Sequence, residues 1–367
     1  MSETYNAVFL SNADGTGSAY ADTGQPSTSA PLPPEPIESD FTIDSTATLT
    51  TLSPSTTLTI TRVTGTGSFL AYSSDTSVVT CSISGNSLIL VGQSTGTATV
   101  TVTMSADGDY LACSKDVSVS CSIVELVSWS NGTDAQIAAM VAAADRGEID
   151  LYEDAGWRVG DVRSVQLGAI ASSGTYDGVS WNIGSSQSSG PREFVLLDRR
   201  LFSLVDALPS GRRVCSFVVG LRLLYGYSYM NPTATNEGSW SSSSARGWCN
   251  GGFRQAIPEL LRSCFKKFKV TTGVYPNSTQ STEDYFTFAA EKEIFGVRTY
   301  SIPNEFSALT QFTYYKTASR RAKSDSSWWE RGPSYDDDRF FCAVDRSGNA
   351  FHQNATTNFN YSPFGVI

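Results

Sequence analysis

The chain has one histidine, His352, among its 367 residues. Any Ser-His-Asp or Cys-His relay would have to use it. It lies in a polar and aromatic run without a clear period, a poor place for a group that needs a locked rotamer. Catalysis is therefore not expected. The seven cysteines are Cys81, Cys113, Cys121, Cys215, Cys249, Cys264 and Cys342, and none forms a CxxC pair, so a zinc site is not expected. Their odd number and scatter fit reduced, buried thiols, with a Cys81–Cys121 or Cys113–Cys121 disulfide as the alternative. Charge is sparse at 17% and unbalanced, with 36 acidic against 26 basic residues and a net charge of −10. That balance argues against nucleic acid, since phosphate binding relies on clustered Lys and Arg. The one counter-signal, Arg262 to Lys269, lies on an amphipathic segment and reads as a solvated helix face. No apolar run approaches the roughly 18 residues of a membrane span, so no membrane insertion is expected. The first residues lack the basic and apolar regions of a secretory leader. There is no Gly-rich phosphate loop between a strand and a helix, and no carboxylate pair can be singled out for glycoside hydrolysis. Asp336-Asp337-Asp338 lacks EF-hand spacing, and consecutive side chains diverge, so the expectation is no metal and no cofactor.

Ser, Thr and Gly are plentiful, which favours strands and loops. Residues 1–38 read as an N-terminal arm ending in Pro31-Leu32-Pro33-Pro34-Glu35-Pro36, a stiff linker of the kind that tethers or attaches. From about residue 39 to 124, period-two alternation takes over. Leu58 and Ile60, then Val78 to Ile83, then Ser87 to Val91, then Ala98 to Met104, then Val117 to Ile123 alternate apolar with polar residues, mostly threonine and serine. Such runs predict half-buried strands, about seven of them, and an all-β sandwich.

The residues Ser74-Asp75-Thr76-Ser77-Val78-Val79, Gly85-Asn86-Ser87-Leu88 and Gly92-Gln93-Ser94-Thr95-Gly96-Thr97-Ala98-Thr99-Val100 resemble the bacterial Ig-like (group 2) domain. That resemblance implies a spacer or adhesive module with no chemistry of its own. The Gly-x-Ser-x-Gly at 92–96 lies between strands and is a turn, not a hydrolase elbow.

After residue 125 the pattern mixes helices and strands. Thr133 or Asp134 caps a helix whose Ile137, Met140, Val141 and Ala144 share a face, and Gly147 ends it. Val162–Leu167, Val195–Leu197, Cys215–Val219 and Tyr285–Ala289 read as strands. Trp240–Gln255, Pro258–Phe268 and Glu291–Phe295 read as helices. This predicts an α+β domain over 125–367.

The order Gly156-Trp157-Arg158-Val159-Gly160-Asp161, Met230-Asn231, Gly238-Ser239-Trp240, Glu293-Ile294-Phe295-Gly296, Trp328-Trp329-Glu330-Arg331-Gly332-Pro333 and Phe341-Cys342-Ala343-Val344 resembles a family with a WWLRSP signature. That family, of unknown function and common in gut bacteria and their phages, is similar to the C-type-lectin-fold variable proteins of diversity-generating retroelements. Glu330 and Gly332 stand where the signature has Leu and Ser, a departure expected to be minor. The family usually continues past Gly365-Val366-Ile367 through a short strand containing Pro and Phe, so closure of the last sheet is expected to be weak. The resemblance implies a scaffold of Trp328, Trp329, Val344, Gly348 and Ala355. It implies a displayed, ligand-binding and hypervariable face drawn from Tyr335, Asp336, Asp337, Asp338, Arg339, Phe340, Arg346, Phe351, His352, Thr356, Asn358, Phe359 and Tyr361. Between Ser334 and Tyr361 there is no Lys, Glu, Met or Trp and one Gln, as adenine mutagenesis of AAY codons would leave it.

Together these features lead to the expectation of a non-enzymatic phage virion protein, a tail fibre or capsid-surface component. It would bind a host-surface glycan or protein through its C-terminal domain and other virion proteins through its arm. Many weak contacts would favour homo-oligomeric display, with a trimer as the candidate state. The alternatives are a bacterial surface adhesin of the same fold, a structural decoration protein of the capsid, and an enzyme acting on glycans.

Overall fold

The computed structural model describes residues 35–367 apart from 185, 224, 307, 308, 324 and 325; most of the arm lies outside the described residues. The buried apolar residues fall into two separate clusters. One runs from Phe41 to Cys121 and the other from Trp129 to Ile367. Strands hold 42% of the chain and helices 16%, so the protein is a multi-sheet, predominantly β molecule with two cores.

The first core lies between a four-stranded sheet and a three-stranded sheet. The four-stranded sheet has the order Thr46–Thr50, Cys113–Ser122, Gly96–Met104, Phe69–Ser73, and the three-stranded one has the order Ser55–Thr59, Ser87–Gly92, Val79–Ser84. A further pair, Asp40–Thr42 with Thr61–Thr64, brings Phe41 against Phe69 at 5.2 Å. There are nine strands where the alternation predicted seven, because Asp40–Thr42 and Thr61–Thr64 are too short to show a period. In Gly96–Met104 the even positions Ala98, Val100, Val102 and Met104 are buried while Thr97 and Thr99 face out, as a strand with one wet face requires. Gly92–Gly96 is a strand end and a turn.

In the second region the helix Asp134–Arg146 forms with a capping box between Thr133 and Gln136, and Gly147 leaves it at φ 79°. Two five-stranded sheets organise the rest. The first has the order Val162–Leu167, Gly190–Arg199, Phe217–Leu221, Pro363–Val366, Phe286–Phe288. The second has the order Tyr225–Ser228, Phe359–Tyr361, Trp328–Pro333, Phe340–Val344, Ala350–Asn354. Closure of the first sheet falls to Pro363–Val366. It lies inside its sheet, and Ile367 and Phe217 exchange backbone hydrogen bonds of 3.0 and 3.1 Å, so the sheet is closed rather than weakened.

Two other expectations need correction. The single helix over Trp240–Gln255 is a sequence of short pieces. Ser239–Ser242 and Ser244–Trp248 meet at Ser243, whose side chain caps the second, and a π-helical turn Cys249–Phe253 follows. The helix from Pro258 ends at Cys264, and Phe268 already belongs to the strand Phe268–Val274, paired with Ser278–Asp284. Lys266 and Lys269 therefore do not share a helical face with Arg262.

Candidate ligand-binding face

The strand Trp328–Pro333 is buried along its whole length. Its two indoles are oriented by hydrogen bonds. Trp328 Nε1 donates to Arg321 O at 3.0 Å, and Trp329 Nε1 to Ser228 O at 3.0 Å. Lys323, also buried, sits over the Trp328 ring and donates Nζ to Leu221 O and Ser362 Oγ; burial pushes its amine down to about 7.

Pairing with Phe340–Val344 slips between Trp329, opposite Ala343, and Pro333, opposite Phe341. The extra residues form a bulge that aims a charge inward. Arg331 forks onto Glu293 at 2.5 and 3.0 Å and donates to Phe288 O at 2.8 Å. Glu293 in turn accepts from Ala290 N, at the start of the helical turn Glu291–Phe295. A Cβ on Gly332 would lie 2.8 Å from Glu305 Oε2, which accounts for glycine there.

Two carboxyls in this cluster are buried without a chelating partner. Glu330 is fully buried with both oxygens unpartnered, and burial holds its proton on well above the carboxylate range. Glu305 is also buried, beside the backbone of Gly273 and 3.8 Å from Arg331 Nε, and burial pushes it up to about 7. Glu330 is an unusual residue for so buried a position. It places an uncharged carboxyl in a site that offers it no partner. Glu291, by contrast, is fully engaged. It accepts from the backbone N–H groups of Thr299, Tyr300 and Ser301 and from Ser301 Oγ.

The loop pinned by Glu291 reaches the terminal run. Tyr335 N donates to Tyr300 O, and the Tyr300 ring stacks on His352 at 4.3 Å. His352 Nδ1 is 2.9 Å from Ser334 Oγ and 3.7 Å from Asp336 Oδ2, with the Phe340 ring edge-on at 5.2 Å. Ser334 and Asp336 both approach the same ring nitrogen, so the three do not form the relay in which serine and carboxylate take opposite nitrogens. Neither Ser334 nor Tyr300 stands out in the sequence, and Tyr300 lies 52 positions before His352 with no motif joining them.

The loop Tyr335–Arg339 is held at its base and free at its tip. Asn236 Nδ2 donates to Asp337 O and Phe340 O, and Asn236 N to Asp338 O. Arg339 chelates Asp337 through Nε and Nη2, which holds that carboxyl down to about 2. Tyr335, Asp336, Asp338 and Arg339 are exposed, with Arg298 over the Tyr335 ring. Arg346 is exposed on a turn that Asp345 ties to Ser347 and Asn349. Gly348 takes φ 85° there, and a Cβ would meet Ala322 N at 2.9 Å. Thr356 and Asn358 are exposed on the following turn, whereas Ala355 is buried.

Three predicted surface residues are placed otherwise. Tyr361 is 1% exposed, its ring between Trp248 and Phe288 and its hydroxyl donating to Tyr229 O. Phe351 and Phe359 are half-buried, packed against the core and 5.9 Å from one another, with Phe359 against Trp329 at 4.8 Å. In a strand beside a buried tryptophan, an aromatic ring lowers its free energy by joining the core. The face that remains is Tyr335, Asp336, Asp338, Arg339, Arg346, Thr356 and Asn358 at the surface, backed by Phe340, His352 and Asp337.

Among the described residues no group of three or more His, Cys, Asp or Glu has a metal-binding arrangement. All seven cysteines are free thiols, five of them buried. No described helix is long and apolar enough to cross a membrane. No curated protein matches the chain. Residues 218–362, which contain both the buried tryptophan strand and the whole of this face, are similar to a domain family described as a domain of unknown function (DUF6273).

Proposed function

We propose that the chain is a non-enzymatic recognition protein of a phage virion. In this reading the C-terminal region has a C-type-lectin-like fold and binds a host-surface glycan or protein through the face around Tyr335–Phe340, Arg346, His352, Thr356 and Asn358. The β-sandwich acts as an Ig-like spacer, and the arm attaches to other virion proteins.

One observation carries the proposal. A strand with six buried residues, over-determined by two oriented indoles and a forked Arg331–Glu293 pair, adjoins loops whose tips are exposed and rich in Tyr, Asp, Asn and Arg. Rigid support beneath adaptable polar and aromatic contacts is the arrangement that binding loops use, because the entropy of ordering is met before the ligand arrives. The shared use of His352 Nδ1 by Ser334 and Asp336 favours recognition over catalysis.

The test is adsorption. Full-length protein, in whatever oligomeric form it takes, should bind the surface of a susceptible bacterium and block phage adsorption. Tyr335→Ala with Arg346→Ala should remove that block. If the protein binds no surface to which the related virion adsorbs, the proposal fails.

A further inference from the structure

The segment 297–306 ties the buried charge cluster to the terminal face. On the face side, Tyr300 O accepts from Tyr335 N at 2.8 Å, Ser301 bridges to Ser334, and the Tyr300 ring stacks on His352 at 4.3 Å. On the core side, Ile302 is wholly buried, and the helical turn Pro303–Phe306 carries Glu305 inward while Pro303 and Asn304 stay exposed. A Cβ on Gly273 would lie 3.1 Å from Glu305 Oε2, and one on Gly332 2.8 Å from it, so this carboxyl is seated between two backbones.

The elements packed on that carboxyl set its charge. The strand Trp328–Pro333 brings Arg331 and Glu330, the helical turn Glu291–Phe295 brings Glu291 and Glu293, and the strand Phe340–Val344 brings the Cys342 thiol. The hairpin Phe268–Val274 with Ser278–Asp284 presents the backbone of Gly273. Arg331 is the one cation of this set, and its nitrogens are committed elsewhere. Nη1 and Nη2 hold Glu293, Nη1 also reaches Phe288 O, and Nε reaches Thr271 O at 3.4 Å. Its Nε stands 3.8 Å from Glu305, beyond hydrogen-bond range. Glu330 shares these surroundings, but it sits on a strand buried along its whole length. Glu305 sits on a short turn with an exposed flank, so it is the carboxyl of the two that can reach water.

Loss of the Glu305 proton would leave a buried charge with no donor of its own, beside Glu291 and Glu293. Carrying that charge outward lifts the turn off Gly273 and Gly332 and, through Ile302, pulls on Tyr300. We propose that Glu305 is a proton-operated latch for the terminal face: with its proton it seats the turn Pro303–Phe306 and holds Tyr300 against His352, and without it the turn leaves the core and the contacts of Tyr300 with Tyr335 and His352 open. The closed form holds the proton more tightly than the open one, so the latch is shut at low pH and opens as pH rises through about 7. The latch regulates the face proposed above and rests on that reading only for the loop's role in recognition.

The experiment uses full-length protein labelled with ¹³C-histidine, which gives a single imidazole signal because the chain has one histidine. Tyr300→Ala marks where that signal lies without the stacked ring. Parent and Glu305→Gln are compared at equal pH, so the imidazole's own charge state cancels. At about pH 6 the two should coincide, displaced from Tyr300→Ala by the ring current. At about pH 8.5 the parent signal should move toward Tyr300→Ala and that of Glu305→Gln should stay, since linkage lowers the closed-to-open ratio about tenfold over this interval. Hydrogen exchange read by mass spectrometry needs only the parent. Residues 297–306 should lose about tenfold in protection beyond base catalysis over the same interval, and residues 328–333 should keep theirs. The latch is overturned if parent and Glu305→Gln coincide at both pH values. It is equally overturned if 328–333 lose protection together with 297–306, which would mean unfolding of the whole region. Protein whose latch opens as described but which never blocks adsorption would support the latch and count against the recognition role alone.

Discussion

The segments 328–333 and 334–361 are neighbours in sequence and both mix aromatic with charged residues, yet they do opposite work. In the first, every residue is buried, including a glutamate and an arginine. In the second, the charged residues reach solvent and most of the rings pack partly inward. The difference comes from partners. Arg331 has Glu293 and the carbonyl of Phe288 as partners inside the core, so its charge is compensated where it is buried. Asp336, Asp338 and Arg346 have no such buried partners and remain in water. A binding face needs that division: stability carried where no ligand touches, and contacts carried where stability does not depend on them.

The comparison can be broken most forcefully at Arg331. Arg331→Ala would leave Glu293 buried and uncompensated, and we expect a loss of about 3–5 kcal/mol in denaturant unfolding of the C-terminal region. A loss below about 1 kcal/mol would show that the strand is not held as described.

Glu305 gives the next effect, and its sign follows from linkage. Its folded-state proton affinity is raised, from 4.5 to about 7, so the folded protein holds the proton more tightly than the unfolded chain. Stability should be highest below the unfolded value and fall as pH rises through the window from 4.5 to about 7, by on the order of 3 kcal/mol at most. Glu305→Gln should flatten that decline in a pH series of unfolding midpoints; a parallel decline in the variant would assign it elsewhere.

Glu330→Leu should stabilise, by about 1–3 kcal/mol, because it removes a buried carboxyl that makes no hydrogen bond. Destabilisation would mean that Glu330 has a role in the cluster beyond filling space. Gly348→Ala should cost about 1–2 kcal/mol, through its left-handed backbone and the approach to Ala322 N. The smallest expected effects lie on the tips. Tyr335→Ala, Arg346→Ala and Asn358→Ala should each stay within about 0.5 kcal/mol of the parent.

Much of this architecture is legible in the sequence where a local rule is strong. Thr133 or Asp134 and Gly147 bracket the helix between them, and the alternation Ala98 to Met104 declares a strand with one wet face. The hairpins at 173–182 and 268–284 are not legible because their strands are rich in Ser, Thr and Gly, with few apolar residues to set a period. The break between the helical segments after Gly238 is hidden in the sequence because Ser243 is compatible with a helix interior as well as with a cap. The scaffold positions Trp328, Trp329, Val344, Gly348 and Ala355 are all buried, in keeping with the reading from the sequence. Tyr361 and the inward turn of Glu330 and Arg331 depend on a bulge and on partners 30 to 130 residues away, which no local pattern reports. The same holds for Ser334 and Tyr300 beside His352.

The most direct test of the division between frame and face is one multiply substituted variant. Tyr335, Asp338, Arg346, Thr356 and Asn358 are replaced together by alanine, and the thermal midpoint and the block of phage adsorption are measured on the same preparation. The account predicts a midpoint within a few degrees of the parent and no block of adsorption. A collapsed midpoint, or an undiminished block, would contradict it.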